Sequence, residues 1–123
     1  MAKLSGARQS LGRWGEQLAA QYLQGQGYEI LDRNVRTDFG ELDLVARLAE
    51  IIVFVEVKTR TTSEYGMPEE SITRQKAAHL LNSGRAYLLM HNITEVDWRI
   101  DLIAVIKLEG QPPVLRHIEN AIH

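Results

Sequence analysis

Apolar positions change their spacing several times along the chain, and each change marks an element. Leu11, Trp14, Leu18 and Tyr22 recur at intervals of three and four, which predicts a helix over residues 11–25 with one apolar face. Gly25 and Gly27 end it. Residues 1–10 show no such face and read as a flexible arm, and Tyr28–Leu31 reads as a short strand. Residues 41–47 (ELDLVAR) and 51–58 (IIVFVEVK) then alternate with period two and are rich in β-branched side chains. So little separates them that they should pair as an antiparallel hairpin, turning around Leu48-Ala49-Glu50 without the usual Gly or Asn. Residues 61–70 carry Thr, Ser, Gly and Pro and read as a loop. A helix follows from about Thr73 to Met90, with Thr73 as its N-cap. Residues 96–107 read as a long strand, Gly110, Pro112 and Pro113 interrupt the chain, and Val114–Ile118 can add a last strand. Helix, hairpin, helix, strand, strand predicts an α/β fold, a central mixed β-sheet flanked by helices, in a single domain spanning 1–123.

The hairpin is where polar residues interrupt the pattern. With the turn centred between Ala49 and Glu50, Asp43 stands opposite Glu56 and Glu41 opposite Lys58, and alternation puts all four on one face with Val45, Ile52 and Phe54. The other face carries Leu42, Leu44, Ala46, Val53, Val55 and Val57. Two carboxylates facing each other across about 5 Å repel, and a divalent cation between them removes the conflict. Oxygen-only ligands suit Mg²⁺ or Mn²⁺, which can orient a phosphate and help ionise a water. Asp43 and Glu56 are therefore the candidate metal ligands, with Glu41 on the same face. Lys58 is placed to contact an attacking water or a scissile phosphate. The competing reading is a pair of solvated carboxylates beside a Glu41–Lys58 cross-strand pair. The apolar setting favours the site, because charges are seldom placed on a half-buried face without a partner.

Composition narrows the options. Fourteen basic and sixteen acidic residues give a formal net charge of −2, which argues against a purely electrostatic nucleic-acid binder. It leaves room for a nucleic-acid enzyme with acidic ligands inside and basic residues around them. There is no cysteine, so disulfides and thiolate metal sites are excluded. The N-terminus has no apolar signal core, and the longest apolar run, Ile51–Val55, is far too short to cross a bilayer. The expectation is a soluble, cytoplasmic protein with no membrane partner.

Asp43 followed, after a hairpin, by Glu56-Val57-Lys58 resembles the PD-(D/E)xK nuclease signature, except that Leu42 stands where the signature has Pro. The whole chain, over about residues 10–107, resembles the YraN-like family of bacterial nuclease-related proteins. The likeness rests on Gly40-Glu41-Leu42-Asp43-Leu44-Val45-Ala46 and on Val53-Phe54-Val55-Glu56-Val57-Lys58-Thr59-Arg60. Weaker matches are Gly15-Glu16, Gly27-Tyr28, Arg33-Asn34, Lys76, Tyr87-Leu88 and Arg99-Ile100-Asp101. That resemblance implies a restriction-endonuclease-like fold. It also implies Mg²⁺- or Mn²⁺-dependent cleavage of DNA, with branched or junction DNA among the substrates as in archaeal Holliday-junction resolvases. A DNA-processing accessory protein with the same fold and little activity is the alternative. The resemblance further implies Asp43, Glu56 and the Val57 carbonyl as metal ligands, and Glu16 as a glutamate reaching the metal from the first helix. From the residues alone, Glu16 reads equally as a helix-surface glutamate.

Arg33, Arg36, Arg60 and Arg74 flank the hairpin in sequence and can hold phosphates, or can be scattered surface residues. Lys76 falls on the apolar stripe of its helix between Ile72 and Leu80, where it can reach a phosphate or a site carboxylate, or snorkel to solvent. Arg99 and Asp101 share a face of the late strand and read as a structural pair. His79, His91, His117 and His123 show no ligand spacing and are given no role. Whether the protein is a homodimer stays open.

Overall fold

A computed structural model describes residues 2–61 and 71–122, with side chains from residue 10 onward. The elements run α1 (Ala2–Gly25), β1 (Glu29–Thr37), β2 (Gly40–Leu48), β3 (Ile51–Arg60), α2 (Arg74–Met90), β4 (Trp98–Ile106) and β5 (Val114–Ile118). The five strands form one sheet in the order β1-β2-β3-β4-β5. β3 and β4 are parallel, with α2 in the crossover, and the other neighbours are antiparallel. This is the α/β architecture expected, a central mixed sheet flanked by helices, consistent with a restriction-endonuclease-like fold.

The helices take opposite faces. On one, Ala19, Ala20 and Leu23 of α1 pack on Leu44, Ala46, Val53, Val55, Ile103 and Val105. On the other, Leu80, Tyr87 and Leu88 of α2 pack on Val45, Ile52, Phe54 and Ile100. Burial on both sides explains why β3 and β4 read as nearly continuous apolar runs. Small residues set the approach of each helix. A Cβ at Gly15 would lie 1.9 Å from Thr59 Oγ1, and one at Gly84 would lie 3.0 Å from the Phe54 ring.

The hairpin register holds. Leu48 pairs with Ile51 and the ladder continues to Leu44↔Val55; Ala49 adopts φ 53° and closes the two-residue turn. Thr73 caps α2, its hydroxyl accepting from Lys76 N at 3.1 Å. Two boundaries differ from expectation. The helix expected at residue 11 begins at Ala2, so residues 2–10, read as an arm, continue α1. Ala, Leu, Arg, Lys and Gln there are good helix formers without an apolar stripe to reveal them. The strand expected at Tyr28–Leu31 runs to Thr37 as an edge strand, and its polar run Asp32-Arg33-Asn34 hides the alternation. The loop expected over residues 61–70 lies, from residue 62, outside the described residues. Among the described residues no helix is long and apolar enough to cross a membrane.

Candidate active site at the Asp43–Glu56 pair

The site forms where the sheet's regularity fails. β1 and β2 pair as Arg33↔Leu44 and then Val35↔Leu42, skipping Asn34 and Asp43, and Asn34 has φ 52°. β2 turns over at this point. Leu44 packs in the α1-side core and Leu42, two residues away, in the α2-side core. The single face expected for Leu42 and Leu44 is therefore broken, and Glu41 is carried to the α1 side, where it lines a cleft with Glu16. The β2–β3 ladder stops in the same place, after Leu44↔Val55. The Val57 N–H, which would have faced Leu42 in a continued register, donates instead to Asp43 Oδ2 at 2.9 Å.

Asp43 is thereby brought within hydrogen-bonding reach of Glu56. Burial, then the hydrogen bond and negative charge of Glu56, push the Asp43 carboxyl up to about 8 against the pull of the Val57 N–H. Surrounded by protein groups alone, Asp43 thus favours its protonated form well above the ordinary carboxylate range. Glu56 is 6% exposed, and its Oε2 accepts from Lys76 Nζ at 2.8 Å. Burial works against the Lys76 ammonium, but the hydrogen bond and charge of Glu56, with Asp43 and Glu41 behind it, outweigh burial and raise its pKa. Glu16 is also raised, first by burial and then by Glu41, with Glu56 adding to this and a hydrogen bond from Asn34 opposing it.

The candidates divide accordingly. Asp43 and Glu56 meet, Lys76 joins them, and Glu16 and Glu41 are near enough to be felt through their charge. Lys58 is exposed on β3, without a hydrogen bond or ion pair among the described residues, and lines a cleft of about 300 Å³ with Glu16, Leu11 and Gly12. Arg36 lines a second cleft of about 510 Å³ with Arg13, Glu16, Asn34 and Glu41, and lies 3.8 Å from the Glu41 carboxylate. Arg33 binds Gln17 of α1 at 2.7 Å. Arg74 is exposed in the first turn of α2, and Arg60 ends β3, its carbonyl accepting from Lys107 N.

Among the described residues no three His, Asp or Glu side chains converge tightly enough to hold a metal by themselves. The set of Asp43, Glu56, Val57, Glu16 and Glu41 is thus not assembled as one cage, and Val57 meets Asp43 through its N–H. Two adjoining carboxylates still fit Mg²⁺, which characteristically takes one or two carboxylates and completes its shell with water and substrate phosphate.

One cluster escaped the sequence reading. Asp101 is fully buried and accepts from Arg99 Nε at 2.9 Å, from Asn120 N at 2.9 Å and from His117 Nε2 at 2.7 Å. His117 Nδ1 lies 3.1 Å from the Tyr22 hydroxyl, and Arg99 also reaches the Tyr28 hydroxyl at 2.9 Å. Burial would raise Asp101, but its bonds to His117, Arg99 and the Asn120 N–H hold it below the usual carboxylate range. The Arg99–Asp101 pair is structural, as its spacing suggested. His117 enters through the β4–β5 pairing, which no local spacing of histidines signals.

A family model described as "Uncharacterised protein family UPF0102" matches residues 15–105. A UPF0102 protein of Dehalococcoides mccartyi is 42% identical over 115 residues, covering 94% of each chain. One from Syntrophotalea carbinolica is 44% identical over 114 residues, covering 93% of this chain and 92% of its own. One from Roseiflexus castenholzii is 42% identical over 121 residues, covering 97% and 98%. The matched span contains every element from the second half of α1 to β4, and with them the Asp43–Glu56 pair.

Proposed function

The chain belongs to the UPF0102 family, the YraN-like family it resembled in sequence, and from that premise we propose that it is a Mg²⁺- or Mn²⁺-dependent endonuclease of the PD-(D/E)xK type, acting on DNA in the cytoplasm. One observation carries the reading: the Asp43 carboxyl is held by the Val57 N–H beside the buried Glu56 at the point where β2–β3 pairing ends, with Lys58 two residues further along β3. Opposed acids in a partly buried site are unfavourable unless something positive is bound there.

In this reading Asp43 and Glu56 would hold the divalent cation, Asp43 as its carboxylate. The bound ion supplies positive charge for the scissile phosphate and lowers the pKa of a water. Lys58, free in its cleft beside Glu16, is the residue available to meet the phosphate or orient that water. Arg33, Arg36, Arg60 and Arg74 are the candidates to hold flanking phosphates without reading sequence. The test is cleavage of duplex, single-stranded, flap and four-way DNA in Mn²⁺, with Glu56→Ala as control. Metal-dependent cleavage lost in the variant supports the reading, and equal cleavage by both proteins overturns it.

A second reading is favoured by the Lys76–Glu56 pair and by the absence, among the described residues, of a three-ligand cluster. It is a DNA-processing accessory protein that keeps the fold and binds nucleic acid with little cleavage. Salt-dependent DNA binding without metal-dependent hydrolysis distinguishes it.

A further inference from the structure

Among the described residues no buried side-chain nitrogen or oxygen lacks a hydrogen-bond partner. The Asp43–Glu56 pair is therefore already satisfied from within the chain. Asp43 is held by the Val57 N–H and by Glu56, and Glu56 is held by Asp43 and by the Lys76 ammonium at 2.8 Å. Lys76 does not reach this position by a loose excursion. Its own backbone N–H is fixed by the Thr73 hydroxyl at the N-cap of α2, so the start of its side chain is anchored on the site. Its outer end is 43% exposed, whereas the Glu56 side chain it grips is 8% exposed.

A divalent cation bound to Glu56 sits about 2.1 Å from a carboxylate oxygen. An ammonium at hydrogen-bond distance from the same carboxylate would then face it at a few ångströms in a partly buried setting, where like charges repel strongly. We propose that Lys76 is the resident counter-ion of the Asp43–Glu56 site, holding Glu56 in place until a divalent cation displaces it. The proposal rests on the metal-site reading above and adds a competitor built into α2. The geometry allows the exchange at low cost. The ammonium has solvent on its outer side, and four methylenes let it swing out without stranding a buried charge. Lys58 cannot fill this role, since it is exposed and holds neither carboxylate.

The experiment is Mn²⁺ binding, by calorimetry or by loss of the free-ion spin-resonance signal, to the wild type, Lys76→Met and Lys76→Arg at one pH. Lys76→Met, without the competing charge, should bind Mn²⁺ about tenfold more tightly or better, a value already discounted for the exposure of the lysine. Lys76→Arg, which keeps the charge, should stay near the wild type. A second readout needs no variant. Acetylation of wild-type lysines, followed by mass spectrometry, should show Lys76 becoming more reactive when Mn²⁺ is added, with Lys58 unchanged. Mn²⁺ binding by the wild type that is equal or weaker in Lys76→Met, with Lys76 reactivity unaffected by metal, would overturn the proposal and leave the metal site standing. Failure of both the wild type and Lys76→Met to bind Mn²⁺ would sink the metal-site reading itself, and the proposal with it.

Discussion

Replacing Asp43 by Asn should abolish most of the fall in stability that the wild type shows as pH rises from 5 to 8.5 in chelator. The Asp43 carboxyl is lifted from its ordinary value of 3.8 to about 8. In the folded protein it stays protonated through a range in which the unfolded chain has lost that proton. The folded state binds more protons there, so stability is full below the unfolded value and declines until the folded value is passed. At about 1.4 kcal/mol per pH unit, the lift caps the whole loss at about 6 kcal/mol, of which about 4 kcal/mol falls above pH 5. Local relaxation and water entry reduce such ceilings, so a loss of at least about 2 kcal/mol is expected, a large share of a typical folding free energy of about 5–15 kcal/mol. Glu16, also raised, adds to the decline with the same sign. Asp101, held low, acts on the acid side, where its contribution is lost as pH falls through its folded value. Asn at position 43 keeps the shape, can accept from the Val57 N–H and can donate to Glu56 at every pH. Urea denaturation of both proteins in EDTA at half-unit steps measures the difference directly. The variant should match the wild type near pH 5 and exceed it at pH 8.5, with only the Glu16 slope remaining. A wild-type stability that is flat or rising over this interval, or equal slopes in the two proteins, would refute the shared-proton account of the site.

Glu56→Gln should lower stability in chelator by about 1 kcal/mol, because it strips Lys76 of its partner while leaving the ammonium partly in solvent; a denaturation midpoint at or above the wild type would contradict this. Asp101→Asn should cost about 3 kcal/mol or more, since the fully buried carboxylate neutralises Arg99 and receives His117 and the Asn120 N–H, measured as a lower urea midpoint at pH 7. Thr73→Ala should cost about 1 kcal/mol through loss of the α2 cap, read as a drop in Tm of a few degrees, whereas Thr73→Ser should nearly restore it. Gly84→Ala should destabilise the fold despite better helix propensity, because its Cβ would press on the buried Phe54 ring at 3.0 Å; an unchanged or higher Tm would show that this helix–sheet contact can relax.

Local patterns carried much of this structure. Period-two alternation in residues 41–47 and 51–58 led to the two strands, the register and the meeting of Asp43 with Glu56. The helical stripe with Thr73 before it located α2 almost to the residue. What stayed hidden was set by distant partners. ELDLV alternates cleanly, yet Leu42 and Leu44 go to opposite cores. The break coincides with one on the neighbouring strand, where Asn34 takes a left-handed conformation and drops out of the pairing together with Asp43. Nothing in the β2 segment itself announces that break. Lys76 was visible only as a lysine on an apolar stripe, and its choice of Glu56 over solvent depends on where the β3–α2–β4 crossover sets the start of α2 over the sheet. His117 acquires its partners by the pairing of Ile103 with His117 between β4 and β5, a contact between segments that carry no complementary signal.

The interruption at Asn34 and Asp43 gives a physical reason for a polar site in an otherwise apolar sheet. A continuous ladder would have paired the Val57 N–H with main chain and left Asp43 pointing from one regular face. Once the pairing stops, a buried N–H needs another acceptor, and an orphaned donor there would cost about 1–3 kcal/mol. The Asp43 carboxylate supplies the acceptor, and in doing so is drawn against Glu56. The same step that satisfies the backbone thus creates the conflict between two acids, and the conflict is met by the proton on Asp43 and by Lys76. On the proposal above, each of these is what a divalent cation would replace. Replacing Asp43 by Ala should therefore do more damage than neutralising it, since it removes the acceptor of the Val57 N–H as well as the acid. Stability in EDTA at pH 8.5 should rank Asp43→Asn above the wild type, and the wild type above Asp43→Ala at pH 5, where no charge conflict remains to be relieved. An alanine variant as stable as the wild type at pH 5 would mean that water serves Val57 as well as Asp43 does, and that the carboxylate is not what ends the ladder.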